Sequence, residues 1–257
     1  MKDLLGALPP NISTYGDRID SLYHLVLIIT AVAFFLVEIV LVVFLVKYRA
    51  GASTRAKYTH GNTRLEIVWT LVPALILVFL GFTSAGAWRD IKMKLPAADM
   101  TVMVTGKQFN WEILYPGPDG KFHTADDYQI DNELHVPVNK NIVVHLGSHD
   151  VIHSFFIPQA RLKQDALPGR EISAWFNVNT PGKYEIPCAE LCGFGHSGMK
   201  GILTVESEEE WAAWFKEQTA GSGEAAPPPA GEAPPAGEAP ATPTPTETPA
   251  PATGQPS

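Results

Sequence analysis

The sequence has few cysteines and no concentrated positive charge. Its 257 residues include only two cysteines, which excludes a disulfide-dense scaffold. The formal net charge is −8 and no basic block occurs, so we expect no nucleic-acid partner. The motif Cys-x-x-Cys-His is missing from the sequence, which excludes a c-type haem attachment site within it.

The last segment, 219–257, lacks side chains that could form a core. It consists mainly of Pro, Ala, Gly, Glu and Thr, and eleven of the 22 prolines lie in the last 37 residues. Segments of this composition cannot bury enough apolar surface to offset the entropy of ordering. We therefore expect a disordered tail that acts as a solvated spacer.

Two long apolar runs lie in the first ninety residues, at 24–46 and 67–88. A helix of 23 residues is roughly 34 Å long, enough to cross a hydrocarbon core of about 30 Å. Pro73 interrupts the second run, but membrane helices tolerate proline better than soluble ones do. The sequence predicts a transmembrane helical hairpin over 23–97.

The loop between the two runs sets the predicted orientation. It contains five basic residues and no acidic one: Lys47, Arg49, Arg55, Lys57 and Arg64. By the positive-inside rule this loop is cytoplasmic, so the segment 1–22 and everything after the hairpin are exported. The first run is too long for a signal-peptide core, and we expect an uncleaved hairpin, with removal of a few leading residues left open.

The pattern changes to short β-rich runs over 98–206. Turn signals such as Pro116-Gly117, Pro168-Gly169 and Pro181-Gly182 separate these runs. Several short strands with such separators predict an all-β sandwich or barrel. Ser207 and Glu210 have the spacing of a capping box, which predicts a short helix over 207–218.

The densest chemical signal lies between Cys188 and Met199. Both cysteines fall here, at 188 and 192, followed by His196 and Met199. Two thiolates, an imidazole and a thioether are ligands that suit copper. A disulfide, a zinc site and a mononuclear blue-copper site remain alternatives, although a thioether is a poor zinc ligand and blue copper needs only one cysteine.

A two-copper centre in which both thiolates bridge uses all of these groups. Such a centre requires one further histidine from upstream. His153 is the best candidate, because the apolar residues that follow it would bury a ligand at a strand end. His149 and His145 remain competitors, since a lone histidine is more often structural than a metal ligand.

Over about 24–206, the chain resembles subunit II of the bacterial haem–copper cytochrome c oxidases. The resemblance covers the two spans, the His153 block, the stretch 163–170 and the loop 188–199. It implies a cupredoxin barrel over 98–206 that holds a binuclear copper centre, CuA. The implied copper ligands are the side chains of His153, Cys188, Cys192, His196 and Met199 and the backbone carbonyl of Glu190.

In that family both thiolates bridge the two coppers. By resemblance, His153 and Met199 would complete one copper, and His196 and the carbonyl of Glu190 the other. The side chain of Glu190 would ligate magnesium at the contact with subunit I. Glu66, at the start of the second span, resembles a glutamate at the cytoplasmic mouth of a proton channel, or is an acid favoured by the helix dipole.

The resemblance also implies a function and partners. The chain would accept electrons from cytochrome c and pass them to the haem of subunit I, where oxygen is reduced and protons are pumped. It would carry electron transfer but not the oxygen chemistry. Its partners would be subunit I, other oxidase subunits, cytochrome c and the lipid bilayer. Its location would be the bacterial inner membrane, multi-pass, with the copper domain on the periplasmic side.

The sequence departs from the family pattern at the surface that receives electrons. A tryptophan usually follows Gly-x-Gln in the family, but Phe109 stands in that place here. Phe109 is therefore one candidate for the electron-accepting contact, and Trp111, on the same strand face, is another. The region 98–206 carries thirteen acids and eight bases, a net charge of −5 that would steer a basic cytochrome c.

Two alternative functions remain open. The quinol-oxidase branch of this superfamily lacks the copper, and a membrane-tethered copper carrier would hold metal without passing electrons to a haem. The copper ligands argue against the first, and Glu66 and Glu190 against the second. Separately, the insert 117–127 has three carboxylates and could bind calcium, but its spacing favours a plain surface hairpin.

Overall fold

A computed structural model of the chain describes residues 8–51 and 58–219. It contains two long helices followed by a domain of ten strands and a third helix. These elements confirm the predicted fold class, a helical hairpin followed by an all-β domain. The predicted disordered tail, 219–257, lies outside the described residues except for Thr219.

The two long helices are α1, Gly16–Lys47, and α2, Thr63–Lys92. With 32 and 30 residues they are about 48 and 45 Å long, more than a bilayer core requires. Both are long and apolar enough to span a membrane, and their apolar windows are not buried within the chain. Asn62 caps α2, since its side-chain oxygen accepts from the backbone N–H groups of Arg64 and Leu65.

The strands form three small sheets. The five-stranded sheet has the order β3-β2-β1-β5-β8, the three-stranded sheet is β4-β10-β9, and β6 pairs with β7. The strands are β1 Met100–Lys107, β2 Asn110–Tyr115, β3 Tyr128–Asp131, β4 Glu133–Pro137, β5 Ile142–Ser148, β6 His153–Ile157, β7 Leu162–Ala166, β8 Ile172–Phe176, β9 Gly182–Pro187 and β10 Lys200–Glu206.

Alternation along the strands builds one core between the sheets. In β1 and β2 every second side chain is buried, as expected for strands with one face against a core. The largest fully buried side chains are Trp111, Tyr115, Phe155, Phe176, Ile113, Leu134, Ile142, Leu146, Ile157, Ile186, Met199 and Leu203. Trp111, Phe155 and Met199 lie beside the candidate metal ligands, so the core extends to that end of the domain.

The third helix, α3, covers Glu208–Thr219. The predicted capping box is present, because the backbone N–H of Ser207 donates to the Glu210 carboxylate and the N–H of Glu210 donates to Ser207 Oγ. The helix packs on the β-domain through Trp214, whose ring stacks on His135 with centroids 4.0 Å apart. It therefore belongs to the folded domain.

Polar contacts join the hairpin to the β-domain. The guanidinium of Arg161 donates to both carboxylate oxygens of Asp20 in α1, at 2.7 and 3.0 Å, and to the carbonyls of Pro9 and Pro158. The indole N–H of Trp175 donates to the carbonyl of Ile91 in α2. The Arg161 side chain is only 7% exposed, so this is a buried ion pair at the junction.

Candidate metal centre

The two thiols lie side by side at one end of the β-domain. Cys188 follows β9 directly, and Cys192 lies in the loop beyond it. Their Sγ atoms are 3.8 Å apart, both side chains are buried, and both cysteines are free. A disulfide has an S–S distance of about 2.05 Å, so the disulfide interpretation does not describe this arrangement.

His153 is the histidine that reaches the thiols. It begins β6, is fully buried, and places Nδ1 3.9 Å from Cys188 Sγ. A bridge between Phe155 and Cys188 brings β6 against the end of β9. One ligand atom each from His153, Cys188 and Cys192 fall within 4.8 Å of one another. The imidazole and both sulfurs therefore converge on one point.

Asp150 fixes the orientation of the His153 ring. Nε2 of His153 lies 2.8 Å from Asp150 Oδ1, so an N–H at Nε2 donates to the carboxylate and Nδ1 is left free to ligate. The backbone N–H groups of Gln108 and Val151 donate to the same carboxylate. Desolvation opposes ionisation, but the hydrogen bonds from His153, Gln108 and Val151 outweigh it and lower the pKa of Asp150 to about 2.

Gly106 makes room for the same ring. A Cβ atom at this position of β1 would lie 2.8 Å from the His153 imidazole, closer than carbon atoms pack. Any larger residue would push the ring away from the thiols. The need for glycine here is therefore steric, since the Gly106 backbone has no unusual φ angle.

The remaining donors come from a single turn after Cys192. Residues His196–Gly198 form a short 3₁₀ turn, and His196 Nδ1 lies 3.6 Å from Cys192 Sγ. Met199 Sδ lies 3.8 Å from the same sulfur, and the side chain is buried. The backbone N–H of Cys188 donates to the carbonyl of Met199 at 3.0 Å, and this hydrogen bond closes the loop 188–199.

Glu190 contributes its main chain and presents its side chain to solvent. Its backbone carbonyl oxygen lies 3.3 Å from Cys188 Sγ, while the residue as a whole is exposed. The carbonyl is therefore close enough to the thiols to join the donor set.

The donor set fits copper. Two imidazoles, a thioether and a carbonyl each lie 3.3–3.9 Å from one of the two thiols, and soft sulfur with imidazole nitrogen is the ligand chemistry of copper. Burial, and then the neighbouring Cys188, raise the pKa of the Cys192 thiol to about 11. Metal binding would have to displace this proton, so affinity for the metal is coupled to proton release.

The competing histidines lie elsewhere. His149 Nε2 is 2.8 Å from a carboxylate oxygen of Glu112, and the side chain is 60% exposed. His145 contacts Ser173 and Glu171 on the five-stranded sheet. Both have structural partners, and neither belongs to the group of His153, Cys188 and Cys192.

The two aromatic candidates for electron acceptance differ in exposure. Phe109 is 39% exposed and lies over the loop, where Cβ atoms at Gly193 and Gly195 would meet its ring at 3.2 and 2.5 Å. Trp111 is fully buried, with its ring centroid 5.9 Å from that of His153. Only Phe109 therefore offers a surface to a protein partner.

Sequence reasoning missed an exposed apolar patch beside the site. Leu191 is 77% exposed and the side chain of Phe194 is fully exposed, both on the loop that carries the ligands. Val151 and Ile152, before His153, are also exposed. Leu191 and Phe194 in a glycine-rich loop were the signal in the sequence that could have revealed this patch. Exposed apolar patches of this kind are typical of sites that bind another protein.

Glu66 and the insert lie away from the metal ligands. Glu66 is exposed in the first turn of α2, 26 residues or about 39 Å along the helix from Lys92 at the β-domain. In the insert, the Asp127 carboxylate accepts from the backbone N–H groups of Gly117, His123 and Thr124. These contacts give Asp127 a role in closing the hairpin.

Together, the fold and the site define a membrane-anchored cupredoxin-like domain with a candidate copper centre. Residues 5–86 match the family described as cytochrome c oxidase subunit II, transmembrane domain, and 118–206 match its periplasmic domain. Cytochrome c oxidase subunit 2 of Cereibacter sphaeroides is 32% identical over 83% of this chain and 80% of its own length. The subunit 2 of Thermostichus vulcanus is 30% identical over 84% and 79%.

The chain belongs to the cytochrome c oxidase subunit II family, whose members are subunits of haem–copper oxidases. Among solved structures, the periplasmic domain of subunit II of cytochrome oxidase from Bradyrhizobium japonicum is 33% identical. That likeness covers 49% of this chain and 98% of the other, with a TM-score of 0.45.

Proposed function

We propose that this subunit accepts electrons from cytochrome c at a binuclear CuA centre and delivers them to the haem of subunit I. Oxygen reduction and proton pumping then take place outside this chain. The observation that carries the proposal is the pair of free, buried thiols 3.8 Å apart, with a histidine beside each.

The proposed ligands divide between the two metals as in the family. Cys188 and Cys192 would hold both coppers, His153 and Met199 would hold one of them, and His196 with the Glu190 carbonyl would hold the other. Bound copper supplies one-electron redox chemistry at this position. The carboxylate of Glu190, being exposed, is free to hold magnesium against subunit I.

The chain's own contribution is a cage that holds its donors in place. His153 is fixed by β6, by the Asp150 carboxylate and by the close backbone of Gly106. The 188–199 loop is closed by the backbone hydrogen bond from Cys188 N–H to the Met199 carbonyl. Side chains that cannot move between two redox states contribute little reorganisation, which keeps the barrier to electron transfer low.

Phe109 and the apolar residues of the loop form the proposed contact for cytochrome c. They lie over the ligand loop, and the net charge of −5 over 98–206 attracts a basic donor. The buried Trp111 then acts as packing beside His153. We further propose that the β-domain is periplasmic and that Glu66, near the cytoplasmic loop, lies at the mouth of a proton channel into subunit I.

Copper stoichiometry and spectroscopy of the full chain test the proposal. We expect two coppers per chain and an electron paramagnetic resonance signal from one unpaired electron shared by both. His153→Gln should lose this signal, whereas His149→Gln, a matched change at an exposed histidine held by Glu112, should retain it. A single localised copper in the parent chain would indicate a carrier or a blue-copper site and contradict the proposal.

A further inference from the structure

A cleft of about 370 Å³ lies where the two long helices meet the β-domain, away from the thiols. One face of α1 and one face of α2 line it, and residues of β7 and β8 close it on the side of the β-domain. Its lining includes Ile19 and Leu22 of α1, Gly81 and Lys92 of α2, and Leu162 and Trp175 of the β-domain. The cleft is as large as a small-molecule site and is mainly apolar.

Small residues on α2 create the space. Gly81, Ser84 and Ala85 face the cleft, and a Cβ atom added at Gly81 would meet nothing within 4 Å. From Gly81 to Lys92 the cleft runs eleven residues along α2, about 16 Å. It therefore extends from the last part of the apolar run to the polar end of the helix, next to Trp88, a residue type enriched at membrane interfaces.

Three cations at the polar end, Arg18, Arg89 and Lys94, share the carboxylate of Asp90. Arg18 pairs with Asp90 at 2.8 Å, and Arg161 pairs with Asp20. Lys92 has no carboxylate within 4.0 Å in the part of the chain that the structure describes. Its Nζ donates only to neutral groups, the carbonyl of Lys163 at 3.0 Å and the amide oxygen of Gln164 at 3.1 Å.

The half-buried Lys92 ammonium contacts only neutral acceptors, so no carboxylate in the described part of the chain touches it. Lysine has three N–H donors, and two of them account for the bonds observed. Asp165 acts on Lys92 only from a longer distance, and its carboxylate accepts a hydrogen bond from Ser154. An anion at the mouth of the cleft would use the remaining donor and offset the cost of desolvating the charge.

We propose that this cleft binds one anionic phospholipid, with an acyl chain between α1 and α2 and the phosphate on Lys92. The apolar length, the position beside Trp88 and the half-buried Lys92 ammonium, which has no carboxylate within 4.0 Å in the described part of the chain, fit this ligand together. A soluble anion would use the charge but not the apolar length. The inference does not rest on the copper chemistry, because no metal ligand lines the cleft.

Native mass spectrometry of the purified full chain in detergent tests the site, with phosphatidylglycerol and phosphatidylcholine of identical acyl chains as probes. We expect one phosphatidylglycerol to be retained in preference to phosphatidylcholine. Lys92→Gln should weaken its binding about fivefold, the effect of one basic residue at a membrane surface. Lys94→Gln is the matched control, since Lys94 is exposed and already paired with Asp90.

Gly81→Leu tests separately whether an acyl chain occupies the apolar part of the cleft. This variant also tests the proposal if Lys92→Gln fails to fold. It should abolish retention of both lipids while copper stoichiometry stays at the parent value. Equal phosphatidylglycerol binding by Lys92→Gln and the parent chain, or by Gly81→Leu and the parent, would overturn the proposal. Displacement of the lipid by excess inorganic phosphate would also overturn it and would assign the cleft to a soluble anion. Retention of neither lipid by the parent chain would overturn it as well and would assign the cleft to a neighbouring subunit.

Discussion

Replacing Asp150 with asparagine is expected to weaken metal binding without unfolding the domain. The Asp150 carboxylate accepts three hydrogen bonds, from His153 Nε2 at 2.8 Å and from the backbone N–H groups of Gln108 and Val151. Asparagine has nearly the same shape but only one acceptor oxygen, and its NH₂ group is a donor. At least one of the three N–H groups that bond to Asp150 would therefore face the NH₂ group of asparagine and lose its hydrogen bond.

The magnitude follows from the bond that is lost. A hydrogen bond to a charged group is worth about 1.5–3 kcal/mol and a neutral one about 1 kcal/mol, so asparagine weakens the bond that orients the His153 ring and loses the one from Gln108. Since 1.4 kcal/mol is tenfold in an equilibrium constant, copper affinity should fall by about 10–100-fold, the usual effect of removing the partner of a ligating histidine.

A copper titration against a competing chelator measures this fall. Asp165→Asn is the matched control, because it makes the same change on the neighbouring strand and its carboxylate bonds only to Ser154 Oγ. Thermal unfolding of the metal-free variants checks that both remain folded. If Asp150→Asn binds copper as tightly as Asp165→Asn, Asp150 does not position His153 and the reasoning fails.

Three other changes test separate parts of the structure. Met199→Leu keeps the buried volume, so copper should stay bound with an altered potential in a redox titration; loss of all metal would contradict its role as a ligand. Arg161→Gln leaves Asp20 unpaired and should lower the free energy of unfolding in detergent by about 3–5 kcal/mol, whereas a loss below about 1 kcal/mol would indicate a pair of only surface strength. Trp214→Ala removes the stack on His135 and should speed amide exchange across α3 at unchanged copper content; unchanged exchange would show that the stack does not hold the helix.

The membrane part was predictable because its signal is local. Apolar runs at 24–46 and 67–88 lie inside α1, Gly16–Lys47, and α2, Thr63–Lys92. Both helices continue beyond the apolar runs, since hydropathy detects contact with lipid and not helical structure. The added turns carry polar residues such as Arg18 and Asp90, which pair with each other outside the apolar segment.

The candidate metal ligands could be predicted from the sequence to different degrees. Cys188, Cys192, His196 and Met199 lie within twelve residues, so spacing alone brings them together. His153 is 35 positions before Cys188, and its approach depends on the bridge between Phe155 and Cys188. The apolar residues after His153 favoured it over His145 and His149, but no local pattern encodes the pairing of Phe155 with Cys188.

The supporting residues were not predictable from local sequence. Gly106 and Gln108 act on His153 and Asp150 because β1 runs beside β5 and ends next to the turn that carries Asp150. That neighbourhood arises from parallel pairing between strands more than thirty residues apart. Short Asp-x-x-His spacing at 150–153 was the only local signal of the carboxylate that holds the imidazole.

The junction with the hairpin places the metal ligands relative to the membrane. Arg161, clamped to Asp20 of α1, immediately precedes β7, and β7 pairs with β6 from Ile157 back to His153. If the β-domain rotated on the helices, the buried ion pair between Arg161 and Asp20 would break, while His153 would keep its place in the pair of β6 and β7. Because electron transfer to a haem in another subunit depends on a fixed distance, this contact serves the proposed function without touching the metal.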